Sequence, residues 1–122
     1  GLPIIARGGK GNITMVRHLK NGGFLALLVD QDSQSGKPIK FLGQAARTTT
    51  TPAELALRYN LPLVPVFAVR QSNRRDIELD YEEPIEHTDA IKMTKEINKR
   101  IGERIHKNPG QWYWLHNRWK EG

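Results

Sequence analysis

The chain has 122 residues, 38% of them hydrophobic, a net charge of +6 from 19 basic and 13 acidic side chains, and no cysteine. That length is one domain or part of one with room for a small core, and regular Gly and Pro punctuation sets it apart from disordered chains. The missing cysteine excludes a disulfide framework, a thiolate metal site and a thiol nucleophile, and no apolar run approaches the ~20 residues of a spanning helix.

The chain opens Gly-Leu-Pro, with neither an initiator Met nor a charged-then-apolar leader, which reads as a terminus cut from a longer protein. A basic surface attracts nucleic acid, anionic lipid or an acidic protein, or simply keeps a protein soluble.

Leu2–Ala6 reads as a strand end, followed by Arg7-Gly8-Gly9-Lys10-Gly11. Glycines there would let backbone N–H groups approach an anion, with Arg7 and Lys10 adding charge, or they form a flexible turn. The Gly-Lys-Ser/Thr ending of a nucleotide-binding loop is missing. Asn12 suits a helix cap, and Ile13, Val16 and Leu19 share one helical face. Asn21-Gly22-Gly23 stops that helix.

Phe24–Val29 is apolar at every position, the pattern of a strand buried on both faces. Asp30-Gln31-Asp32 follows it. Two carboxylates there suit a divalent cation or acid–base work, or serve as turn formers bonded to nearby backbone. Ser33–Lys37 is a polar loop and Pro38–Leu42 a short extended piece. Thr51-Pro52-Ala53-Glu54 predicts a helix start, with Thr51 capping, Pro52 first in the helix and Glu54 closing a capping box. Asn60 and Pro62 end it.

Leu63–Val69 is a second apolar strand in which Pro65 predicts a bulge or an edge. Ile77, Leu79 and Tyr81 alternate with Glu78, Asp80 and Glu82, the pattern of a half-buried strand with a wet acidic face. Thr88 or Asp89 starts the longest helix, whose stripe is Ala90, Met93, Ile97, Ile101 and Ile105, and Pro109 ends it. The alternation of helices and strands predicts an α/β class with a mixed sheet flanked by helices. In such sheets sites gather at the carboxyl ends of strands, where Asp30–Asp32 and Arg70 fall.

All three tryptophans lie in the last eleven residues, Trp112, Trp114 and Trp119, beside His116, Arg118 and Lys120. Such a tail could stack on nucleic acid, sit at a membrane interface, or pack onto the domain. His116 and Glu121 have a His-x4-Glu spacing, which we read as coincidence because a chain terminus holds no catalytic carboxylate in place. Basic residues scattered among acids, without paired aromatics on the strands, argue against a nucleic-acid-binding domain.

Six blocks in order resemble the C-terminal half of the lipid A biosynthesis acyltransferases over nearly the whole chain. They are Arg7-Gly8-Gly9, Gly22-Gly23 into Leu28–Asp32, Phe41–Thr48, Pro52–Ala56, Leu63–Phe67 and Gln111–Lys120. The resemblance implies residues 1–122 as the C-terminal portion of a single acyltransferase domain of the glycerolipid type. It implies transfer of a fatty acyl chain from an acyl carrier protein thioester to a hydroxyl of a lipid A precursor. The place would be the cytoplasmic face of the bacterial inner membrane, with the membrane surface as a partner, no nucleic acid, no metal and no other cofactor. A relative acting on another glycolipid or on glycerol phosphate is the alternative.

In that family a His acts as general base and a Glu orients it. No His-x4-Glu or His-x4-Asp precedes Arg7, so the dyad is expected upstream of residue 1 and the chain alone is expected to be inactive. Arg7 matches the basic position after the dyad and is the first candidate for phosphate or oxyanion contact. Asp30 is the candidate site-shaping partner, followed by Gln31 and Asp32. Trp112, Trp114, Arg118 and Trp119 form a tail for membrane contact or packing.

Overall fold

The computed structural model describes Ile4 and residues 9–120. Leu2–Ala6, read as a strand, lies outside these residues except for Ile4, and so does the Arg7–Gly8 half of the glycine-rich segment. The chain order is α1 (Gly9–Lys20), β1 (Lys37–Phe41), β2 (Gln44–Thr48), α2 (Thr51–Tyr59), β3 (Val66–Arg70), β4 (Ile77–Tyr81) and α3 (Ala90–Lys107). A short 3-10 turn, Pro109–Gln111, leads into the tail. The α/β class stands. Its strands form two antiparallel hairpins, β1–β2 and β3–β4, where the sequence suggested one mixed sheet.

The β1–β2 hairpin turns through Leu42 (φ 47°) and Gly43 (φ 89°). Two consecutive positive φ values are what a tight two-residue hairpin turn needs, because its twist matches that of the strands. Ile39 pairs with Ala46 across the ladder, and both are buried with Phe41 and Thr48 on one face.

α3 covers this hairpin. Asp89 caps it by accepting the Lys92 N–H at 2.8 Å, and the stripe Met93, Ile97, Ile101 and Ile105 is buried as its spacing predicts. Phe41, Ala46, Ala53, Ala56 and Ile85 complete the core with that stripe. Each large apolar side chain buried there contributes roughly 1.5–3 kcal/mol. Gly102 brings α3 close to the hairpin turn, since a Cβ there would stand 3.2 Å from the Leu42 side chain.

α2 starts one residue earlier than its sequence suggested. Its cap position is Thr50, whose hydroxyl donates to Glu54 Oε1 at 2.6 Å. It ends at Asn60 in the left-handed conformation (φ 50°). α1 begins at Gly9, three residues before Asn12, and only Leu19 of its expected face is buried. Pro65 lies just outside β3, where its missing N–H costs no ladder bond and its carbonyl accepts from the Glu82 N–H at 3.0 Å.

Two expectations are overturned. Phe24–Val29 forms no strand among the described residues, and Phe24 and Leu28 are 68% and 87% exposed. β4 presents its faces the other way round. Ile77, Leu79 and Tyr81 are exposed, while Asp80 and Glu82 turn toward α3 and pair with Arg104. Arg100 adds a second bond to Glu82, and the Arg104 guanidinium stacks 4.6 Å from the Phe67 ring. Alternation predicted the two faces of β4, but two arginines on α3 decided which one turns inward.

Candidate functional site

The loop after Phe24–Val29 and the C-terminal tail meet over the end of β2. Asp32 is the centre. Arg47 on β2 donates to both its oxygens, Nε to Oδ1 at 3.0 Å and Nη2 to Oδ2 at 2.9 Å. The Asp32 side chain is only 3% exposed and that of Arg47 29%. Such a two-point pair fixes orientation as well as distance. The hydrogen bonds from Arg47 hold the Asp32 carboxyl below its usual range, helped by the charges of Arg47, Lys120 and Arg118 and opposed by burial.

The tail is tied down by side chains. The Asp32 N–H donates to His116 Nε2 at 2.8 Å. Arg118 is fully buried, its guanidinium 4.8 Å from the Phe41 ring centre. It donates to the Arg47 carbonyl and to Thr48 Oγ1, both at 2.7 Å. The Arg47 carbonyl also accepts the Ser33 N–H at 3.2 Å, so one acceptor joins loop, strand and tail. Burial lowers the Arg118 pKa, and the charges of Asp32 and Asp30 oppose that. Thr48 Oγ1 accepts from Asn98 Nδ2 on α3 as well, at 3.3 Å. Gly36 lets the loop lie against β2, because a Cβ there would meet the Thr48 backbone at 2.7 Å.

The tryptophans divide. Trp112 and Trp119 each pack 5.7 Å from Phe41, and Trp119 Nε1 donates to the Phe41 carbonyl at 3.3 Å. Trp114 stacks edge-on against Trp112 at 4.6 Å yet stays 52% exposed, between exposed Tyr113 and Leu115. The Gln111 amide pairs with both backbone groups of Arg70, at 2.9 and 3.1 Å, and so anchors the start of the tail to β3. A cleft of about 470 Å³ opens there, lined by Ala68, Arg70, Ile77 and Gly110–Tyr113.

A family model described as bacterial lipid A biosynthesis acyltransferase matches residues 2–121. The chain belongs to that family. No curated protein matches it. The family is one of acyltransferases of lipid A biosynthesis, and two of the segments that carry the resemblance, Asp30–Asp32 and the tail, are brought together by the fold.

Of the residues the sequence singled out in this family member, Arg7 lies outside the described residues. Asp30 is half-buried and Gln31 exposed at the loop surface, while Asp32 turns inward to Arg47. No group of three or more His, Asp or Glu side chains able to hold a metal ion occurs among the described residues. Sequence reasoning gave no role to Arg47 and set His116 aside. Arg47 stood only within a matching block, fifteen positions from its partner, and nothing in composition or spacing marks such a pair. His116 was weighed as half of a dyad, a signal that hid its contact with backbone.

Proposed function

We propose that this chain supplies the acceptor-positioning part of an enzyme that moves a fatty acyl chain from an acyl carrier protein thioester to a hydroxyl of a lipid A precursor. The reaction would take place at the cytoplasmic face of the bacterial inner membrane. The family match over residues 2–121 carries the reading. The gathering of Asp30–Asp32 and the tail into one bonded cluster supports it. In this reading Arg7 contacts phosphate or the oxyanion, Asp30 and Gln31 face the acceptor, and Asp32 holds their loop from beneath through Arg47.

Attack by a hydroxyl needs a base and a group that orients it. The four histidines are engaged otherwise. His18, His87 and His106 bond to the carbonyls of Phe24, Leu61 and Gly102, and His116 accepts from Asp32. None is paired with a carboxylate among the described residues, which supports the proposal that these 122 residues alone do not turn over. Membrane contact would fall to the exposed Tyr113, Trp114 and Leu115, in the same tail as the basic Lys120. Aromatic and basic side chains suit the headgroup boundary. No helix among the described residues is long and apolar enough to cross a membrane.

The test is steady-state acyl transfer by the complete gene product that carries this chain, with Asp30→Ala and Gln31→Ala in parallel. The expected result is a KM for the lipid A precursor raised about tenfold, the effect of about one lost polar contact. Unchanged constants in both variants would remove these residues from the site.

A further inference from the structure

The Asp30–Gln31 turn has little to hold it from within. It follows the Phe24–Val29 segment, which pairs with no strand among the described residues. Among these residues, four hydrogen bonds fix its end: two from Arg47 to the Asp32 carboxylate, one from the Ser33 N–H to the Arg47 carbonyl, and one from the Asp32 N–H to His116. Arg47 grips a side chain. His116 grips the backbone itself, one residue from Gln31, and it does so from the tail.

We infer that His116 is a positioning residue for the acceptor-binding turn, acting through the Asp32 backbone and only as the neutral imidazole protonated on Nδ1. The inference rests on the acyltransferase reading and on the role of Asp30 and Gln31 in it. An N–H donor at 2.8 Å requires a lone pair on Nε2. A second proton on the ring turns that acceptor into a donor facing a donor. The charges gathered at this contact are Asp30 and Asp32 from the loop, Arg47 from β2, and Arg118 and Lys120 from the tail. Asp32 is already paired with Arg47. A protonated His116 would therefore join three cations while leaving the Asp32 N–H without its acceptor.

Gln is the informative replacement. Its amide oxygen reaches about as far from Cβ as Nε2 does and accepts a hydrogen bond at any pH. The experiment measures acceptor KM and kcat at pH 7.5 and 5.5 for the complete gene product, His116→Ala and His116→Gln. In the wild type the acceptor KM should be higher at pH 5.5 than at pH 7.5. His116→Ala should show a KM raised about tenfold at both pH values with kcat within about twofold. His116→Gln should match the wild type at pH 7.5 and lose the rise at pH 5.5.

A merely structural histidine would lower the amount of folded enzyme without changing KM, and that outcome would overturn the inference. So would a Gln variant with the wild-type pH profile. Hydrogen exchange of the peptide spanning residues 30–33, read by mass spectrometry at pH 7.5, reports the contact without catalysis. Protection in the wild type and His116→Gln but not in His116→Ala supports it, even if the wild type proves to transfer nothing to a lipid A precursor. Equal exchange in all three overturns it.

Discussion

Asp32 and His116 stand 84 positions apart in the chain, and a 2.8 Å hydrogen bond joins the backbone of the first to the ring of the second. That bond closes the C-terminal tail over the loop that follows Phe24–Val29. Arg47 beneath and Arg118 behind make the closure a network in which loop, strand and tail share acceptors.

The Asp32–Arg47 pair makes stability depend on pH in a definite direction. Arg47 lowers the Asp32 pKa in the folded protein, so folding favours the ionised carboxylate. That contribution is present at pH above the unfolded carboxyl pKa of ~4, and it is lost as pH falls through the lower folded value. Asp32→Asn should therefore melt below the wild type at pH 7, with the gap closing at more acid pH. Thermal unfolding at pH 7, 5 and 3 reads this, and a gap that widens on acidification would contradict the pairing.

Gly36 and Gly102 make opposite predictions for the same substitution. Gly36→Ala drives a methyl group into the Thr48 backbone, which has nowhere to go, and should cost ~1–3 kcal/mol. Gly102→Ala meets only the flexible end of Leu42 at 3.2 Å, and it sits within α3, where Ala is favoured over Gly by up to ~1 kcal/mol. Denaturant midpoints should fall for the first variant and stay close to the wild type for the second.

Arg118 is a buried cation whose hydrogen bonds go to neutral groups. Removing it strands no carboxylate, and both acceptors keep other partners, the Arg47 carbonyl with Ser33 and Thr48 Oγ1 with Asn98. Arg118→Met keeps the packing against Phe41 and should cost no more than ~1.5 kcal/mol. Arg118→Ala opens a cavity and should cost ~2–4 kcal/mol. Equal losses in equilibrium unfolding would mean that the hydrogen bonds, not the volume, hold the tail.

How much of this could be read from the residues depends on the range of the interaction. The stripe of α3, the Gly22 stop of α1 and the Asn60 stop of α2 follow from spacing and backbone preference, which are local. β2 was missed because Gln44–Thr48 has no apolar alternation; its partner across the Leu42–Gly43 turn makes it a strand. The inward turn of Asp80 and Glu82 needed Arg104 and Arg100, some twenty residues on, to offset the exposure of Ile77 and Leu79. The site divides in the same way. Asp30–Asp32 and the tail stood out as segments, but their joining depends on His116, Arg47 and Arg118, and no pattern within either segment specifies those contacts.

The most direct measurement is acyl transfer by the complete gene product, with an acyl carrier protein thioester as donor and a lipid A precursor or glycerol phosphate as acceptor, beside an Arg7→Ala variant. Transfer to the sugar lipid, reduced at least tenfold in the variant, is the predicted result. Transfer to glycerol phosphate alone, or to neither acceptor, would contradict it.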